Sequence, residues 1–423
     1  MHWKNEPLEK IKAWEQELAD KHQEFAKAGL KLDLTRGKPA MEQLDLADEL
    51  NGILKGNYLA SDGTDTRNYG GLKGLPEARN LGAEWLGLAQ EEVIVSGNSS
   101  LSLMYQVLHV GAHYGFGTTP WLQQSSPPEF LAIVPVYERH FGICEKLGIK
   151  IVNIPMNEDG PNMEMVESQV RRPQVKWIWC VPKYSNPTGN IYSAEVVDRF
   201  ARLGNQAAPD FRIMWDNAYA VHDHHPHAPE LTNLMELCRL QGTEDSVFMM
   251  GSSSKVTLAG AGISFLGGSK SNLDYFLEQM ACWTIGPDKV NQLRHARLLP
   301  DLAATKKHML RHAEITRPKF ELVLDKLEES FSGLEMGTWI RPEGGYFVSF
   351  DSLPGHAKEI VRLADEAGVK LTPAGSTFPY GVDPEDKSIR LSPTFPPLAD
   401  LSAAMEVFVN CVQLATLRQH LNQ

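Results

Sequence analysis

The sequence predicts an α/β protein: a three-layer large domain around a seven-stranded, mainly parallel sheet, followed by a smaller α+β domain. Three observations carry this. Seven short apolar or β-branched runs recur between residues 93 and 266. Most are separated by stretches long enough for a helix, as crossovers between parallel strands require. After residue 300 the alternation stops, and a long charged helical stretch leads into short strands.

In chain order, Leu8, Ile11, Trp14, Leu18 and Phe25 recur at three- or four-residue intervals or their sums, which predicts an amphipathic helix. It packs either on its own domain or on a partner subunit. The seven strand candidates are residues 93–95, 131–134, 151–154, 177–181, 212–215, 247–250 and 263–266, with amphipathic segments such as 101–108 and 194–203 between them. Residues 115–128 and 223–229 are the most loop-like. Residues 302–331 read as one helix, and 345–350, 369–372 and 388–391 as strands. The expected division is an N-terminal arm and part of the small domain at 1–55, the large domain at 56–305 and the C-terminal small domain at 306–423.

A length of 423 residues suits two to three domains. Hydrophobic residues at 42% and charged residues at 22% are ordinary for a folded chain. The net charge of −12 disfavours a nucleic-acid partner, whose phosphates need cations. Cys144, Cys180, Cys238, Cys282 and Cys411 are dispersed and form no C-x-x-C pair, so a reducing cytoplasm is expected. No apolar run reaches the roughly 18 residues of a membrane span, and the start is not basic-then-apolar. Neither export nor a membrane partner is expected.

Ligands of open parallel sheets bind beyond the carboxyl ends of the strands, so the residues after each run are the candidates. The first run is followed by Ser96, Gly97, Asn98, Ser99 and a helix. That arrangement either cradles a phosphate or caps the helix. Tyr137 follows the second run, as a ring cover or a core residue. Asn186 lies in a Pro/Gly turn after the fourth. Asp216 ends the fifth, where a buried charge needs a partner, with Tyr219 three residues on. Ser252, Ser253, Ser254 and Lys255 follow the sixth. An amine nucleophile, a carboxylate able to hold a pyridinium and an anion cradle on one sheet edge together describe a site for pyridoxal phosphate.

Further motifs in order are Tyr69-Gly70-Gly71, Asn186-Pro187-Thr188-Gly189, Asp216-x-x-Tyr219, Ser252-x-x-Lys255, Glu343-Gly344-Gly345-Tyr346-Phe347 and Arg390-Leu391-Ser392. With these the chain resembles the fold-type-I, class I/II pyridoxal-phosphate aminotransferases. Residues 34–39 and 255–262 resemble their atypical bacterial aspartate aminotransferase branch.

The resemblance implies that Lys255 forms a Schiff base with the cofactor, that Asp216 pairs with its ring nitrogen, and that Asn186 and Tyr219 bond its 3-hydroxyl. Tyr137 would stack on the ring. Ser96, Gly97, Asn98, Ser99, Ser252 and Ser254 would form the phosphate site, joined by Tyr69 from the neighbouring subunit of a homodimer. Arg390 would grip the substrate α-carboxylate, with Asn186 beside it and Gly37 giving the backbone room.

The family's phosphate-binding Arg after the Schiff-base lysine is replaced here by Gly260-Ala261-Gly262. Lys289 is the candidate substitute, against an ordinary surface lysine. Arg36 is the candidate for a distal carboxylate, against pairing with Asp33, and Arg139 stands second.

The implied reaction moves an amino group from an L-amino acid, aspartate first, to 2-oxoglutarate in ping-pong order. Neutral or aromatic donors, or lyase and decarboxylase chemistry, are the alternatives. Residues 222–227 (His-Asp-His-His-Pro-His) are expected to be a solvated loop and not a metal site.

Overall fold

The computed structural model describes residues 3–422. Its large sheet has eight strands. Their spatial order is Val93–Ser96, Ser264–Gly268, Val247–Ser252, Arg212–Asp216, Val175–Cys180, Glu129–Val134, Lys150–Asn157 and Gly160–Pro161. The five strands from Val247–Ser252 to Lys150–Asn157 pair in parallel, and Ser264–Gly268 runs antiparallel to both neighbours. The seven expected runs are all present. The eighth strand is a two-residue return on Met156 and Asn157, made possible by Gly160 at φ 138° and too short to leave a sequence pattern.

Successive side chains on these strands go to opposite faces, and the core divides accordingly. Leu131, Ile133, Ile178, Ile213 and Trp215 belong to one buried cluster. Phe130, Ala132, Trp177, Trp179 and Met214 belong to another. Burial on both faces is the reason these strands read as continuous apolar runs. The expected covering helices form at Ser100–His113 and Ala194–Ala201.

A third cluster joins the first helix, Leu8–Ala28, to the C-terminal part of the chain: Ile11 and Leu18 share it with Phe320, Val348, Leu363 and Phe408. Asn410 Nδ2 donates to the Leu18 carbonyl at 3.1 Å and Arg418 pairs with Glu15 at 2.8 Å. The helix therefore packs on its own chain. Leu32–Asp33 pairs in parallel with Val369–Lys370, tying residues after this helix to the same body.

The long helix runs Leu302–Phe331, as its periodicity predicts, with Pro318 inside it. Gly337–Trp339, Val348–Ser352 and Ser388–Leu391 form an antiparallel sheet. The middle strand begins later than expected because Gly345, at φ 84°, turns the chain away to bond the His222 carbonyl. The last helix, Leu398–Leu421, is apolar and long enough to pass as a membrane span by composition, which the sequence reading overlooked. Its Leu401, Phe408, Cys411 and Leu414 are buried in the third cluster, the ordinary cause of such a composition in a core helix.

Candidate active site

The parallel strands deliver their carboxyl-end residues to one cavity of about 390 Å3. Tyr137, Asn186, Asp216 and Ser252 line it from four strand ends, Lys255 from the turn after Ser252, and Ser99 from the helix start. Arg36, Gly37, Phe347 and Arg390 close it from the other body. A larger cavity of about 520 Å3, beyond Trp215 and Met249, shares no residue with it. Chemistry, not size, selects the site.

Asp216 is 4% exposed. Its Oδ2 lies 3.5 Å from His140 Nε2, and its Oδ1 meets no hydrogen-bond donor. His140 is stacked on Trp179 with centroids 3.7 Å apart; burial pushes its pKa down, opposed by Asp216. A buried carboxylate oxygen without a donor costs several kcal/mol unless a cation or N–H meets it. A protonated pyridine N–H answers that requirement, so these residues fit the pyridoxal ring.

Lys255 Nζ stands 5.1 Å over the Tyr219 ring and 5.7 Å over that of Tyr346. Burial lowers its pKa, Asp216 opposes this, and Arg390 adds to the lowering. A lowered amine pKa enlarges the unprotonated, nucleophilic fraction. Burial raises the Tyr219 phenol well above its ordinary value, keeping it a donor.

Arg390 Nη1 donates to Glu138 Oε2 at 2.9 Å and to Asn186 Oδ1 at 3.2 Å, and Nη2 to the Thr35 carbonyl at 3.3 Å. The bond to Asn186 Oδ1 leaves the Asn186 amide N–H groups as its free donor end. Glu138 is pushed up by burial, but Arg390 outweighs this and holds it below the ordinary range. Phe347 lies under the guanidinium at 4.9 Å. Gly37 is required by this ring, since a Cβ there would stand 2.4 Å from Phe347 Cζ.

The anion cradle is the start of the helix Ser100–His113, with Ser99 at the N-cap position making no side-chain cap bond and Ser252 and Ser254 beside it. The Ser252 and Ser254 hydroxyls are 2.6 Å apart, and Ser254 Oγ donates to the Asn98 carbonyl at 2.8 Å. Ser96, Gly97 and Asn98 stand behind this wall instead of lining the cavity. Ser96 ends a strand, the Gly97 carbonyl accepts from Ser264 Oγ at 2.7 Å, and exposed Asn98 reaches the Gly260 carbonyl at 3.4 Å.

A side chain at Gly262 would be crowded: its Cβ would lie 2.8 Å from Ser253 Oγ and 3.2 Å from the Leu258 carbonyl. Lys289 does not enter the cavity of this chain. It is 4% exposed, and its Nζ donates to the carbonyls of Asn68 at 2.8 Å and Gly70 at 2.6 Å, holding the loop of Tyr69. Tyr69 itself is 81% exposed and outside the cavity. Asp33 accepts from Thr35 N–H and Oγ, while Arg36, Lys38 and Arg139 line the cavity. Five basic residues thus face two acidic ones, Glu138 and Asp216, inside a protein of net charge −12. That concentrates positive potential where anions must bind.

The His-rich stretch is not a solvated loop throughout. His222 and His224 are buried, because the Glu343-Gly344-Gly345 turn docks on them: His224 N–H donates to the Glu343 carbonyl at 2.9 Å, and a Cβ on Gly344 would meet the His222 carbonyl at 2.3 Å. Burial first, then like-charged neighbours, lowers His224 to about 4 and His312 to about 3 from 6.5. In the unfolded chain both titrate near 6.5, so below that pH it binds more protons than the fold does. Stability is therefore fully present above about pH 6.5 and falls with pH toward the folded values. At about pH 5 each histidine is expected to remove about 2 kcal/mol. Urea midpoints at about pH 7.5 and 5 check this, and equal midpoints would contradict it.

His140, Glu138, Phe347 and Lys38 are site residues the sequence reading did not assign. Phe347 and Lys38 stood in quoted motifs, but no local pattern marks the other two.

The family model described as aspartate amino-transferase matches residues 8–423. The aspartate aminotransferase of Corynebacterium glutamicum is 42% identical, covering 98% of this chain and 96% of its own. A crystal structure of an aspartate transaminase from that organism superposes with a TM-score of 0.96 at 41% identity, covering 99% of each chain. The α-aminoadipate aminotransferase of Thermus thermophilus, complexed with N-(5'-phosphopyridoxyl)-L-leucine, shares the fold at a TM-score of 0.73 and 22% identity, covering 93% of each. With near-complete coverage by the first two, and with a cavity whose unpaired Asp216 oxygen and buried Lys255 amine fit the cofactor, the chain belongs to the aspartate aminotransferase family, pyridoxal-phosphate-dependent enzymes of fold type I.

Proposed function

We propose that this enzyme takes the amino group of an L-amino acid, L-aspartate first among donors, and passes it to 2-oxoglutarate in ping-pong order. The observation that carries the choice of an acidic donor is the convergence of Arg36, Arg139 and Arg390 on the cavity of Lys255. The two carboxylates of aspartate need two cations, because a buried unpaired carboxylate is costly.

Pyridoxal phosphate, when bound, supplies an aldehyde and a protonated ring that draws electrons from the bonds of the substrate α-carbon. Asp216 Oδ1 would accept the ring N–H, and Tyr219 and Asn186 would donate to the ring hydroxyl oxygen. Ser99, Ser252 and Ser254 with the helix N-terminus take the phosphate. Tyr137 covers the ring. Lys255 Nζ would bond the cofactor aldehyde and, once freed, would take the proton from the substrate α-carbon as general base. Arg390 exchanges Glu138 Oε2 for the α-carboxylate, one anion for another, so its charge is paired in both states.

The same reading makes the enzyme a homodimer in which Tyr69 reaches the partner's phosphate site. Its support is that Tyr69 is exposed beside other exposed apolar residues, Trp283 and Ile285, on segments joined by Lys289. The buried clusters support a two-body division close to the expected one: one runs from Leu54 to Met309, another holds residues up to Leu34 and from Phe320 onward. The five unpaired cysteines suit the cytoplasm.

Arg36→Met is the test of the donor. A charge-assisted hydrogen bond is worth about 1.5–3 kcal/mol, so KM for aspartate should rise about 10- to 100-fold. KM for alanine should stay within about 3-fold. Arg139→Met run in parallel locates the second cation. If neither variant separates aspartate from alanine or phenylalanine, the donor is neutral or aromatic.

A further inference from the structure

The turn that carries Lys255 lies between the strands Val247–Ser252 and Ser264–Gly268, so the carbonyls of Lys255 and Val256 have no ladder partner. Buried carbonyls need donors. Here side chains supply them. His222 Nε2 lies 3.3 Å and Tyr346 Oη 3.4 Å from the Lys255 oxygen, while His308 Nε2 lies 2.7 Å from that of Val256. His312 faces the Val256 carbonyl as well.

Proton positions follow from Gln43. Its Oε1 accepts from the Ala40 N–H at 3.0 Å, so its Nε2 is the end that donates to Tyr346 Oη at 3.0 Å and to His312 Nδ1 at 3.1 Å. With Nδ1 accepting, the His312 proton sits on Nε2, on the side of Val256. His308 Nε2 donates to that carbonyl. The two Nε2 atoms stand 3.2 Å apart. A second proton on His312 would aim an N–H at the N–H of Gln43. The arrangement closes with every imidazole neutral.

We propose that Gln43 and His312, acting with His222, His308 and Tyr346, are positioning residues for Lys255. They fix the backbone from which its amine reaches the substrate, and they tie that backbone to the segment of Arg36 and Gly37, which ends six residues before Gln43. This rests on Lys255 being the lysine that bonds the cofactor. His308 and His312 extend from the long helix into the large body, so the cage also joins the two bodies at the reacting residue.

The test uses the holoenzyme. His312→Leu and Gln43→Leu each remove a buried bond from the same chain of contacts. Each is expected to lower kcat about 10-fold with KM for the amino donor within about 2-fold. Each should also move the pH midpoint of the visible cofactor band by at least about 0.5 unit, a readout independent of turnover.

The double variant should lose no more than either single one, because both cut one contact. His312→Gln, which keeps a donor toward Val256, should restore kcat to within about 3-fold of the parent. An unshifted band, fully additive losses, or kcat losses that follow melting temperature with no rescue by Gln would each overturn the proposal. Borohydride reduction followed by peptide mass analysis reads the premise separately: cofactor found on a lysine other than Lys255 removes the site reading itself.

Discussion

Lys255→Ala is expected to lower kcat by about 10^4-fold or more while leaving the melting temperature near that of the parent. The size follows from two roles in one group. In the proposed mechanism Lys255 would hold the cofactor as nucleophile and move the α-proton as general base; base catalysis alone contributes about 10²–10⁴-fold. Its surroundings serve both roles. Burial lowers the amine's pKa against the opposing pull of Asp216, and the ring faces of Tyr219 and Tyr346 border it. Added small amines should recover part of the proton transfer in the Ala variant, since the cavity walls remain. Single-turnover rates with aspartate measure this, and a variant within about 10-fold of the parent would remove Lys255 from the chemistry.

Asp216→Asn is expected to reduce kcat about 10²- to 10⁴-fold with a smaller change in cofactor affinity. The amide fills the same space but carries no charge to stabilise a protonated ring nitrogen, and the ring then withdraws electrons poorly. Asp216 Oδ1 has no donor among the described residues, and His140, stacked on Trp179, occupies the other side. The visible band of the variant should respond to pH differently from the parent band; identical titrations would contradict this role.

Most of the fold was legible because burial on both faces turns each central strand into an unbroken apolar run, as at Phe130 to Val134 and Trp177 to Cys180. The long helix was legible to both ends, with Asp301 capping its start by accepting from the Ala304 N–H. The residues gathered at one sheet edge were legible because strand ends can be read from sequence.

What sequence withholds is where a side chain turns after its backbone is placed. Glu138 stands 252 residues from Arg390 and Gln43 stands 269 from His312. No local spacing announces either pair. Lys289 shows the same limit from the other side: its position beside the Tyr69 loop was readable, but its ammonium is taken up by two carbonyls. The His-rich stretch misled because polar composition suggests water, whereas the docking of the 343–345 turn buries His222 and His224.

The most direct measurement is the visible absorption spectrum of the purified protein supplied with pyridoxal phosphate, recorded before L-aspartate, after it, and again after 2-oxoglutarate. The account predicts a yellow band that bleaches with aspartate and returns with 2-oxoglutarate, each half-reaction visible on its own. No yellow band after the cofactor is added, or a band that neither substrate alters, would contradict it.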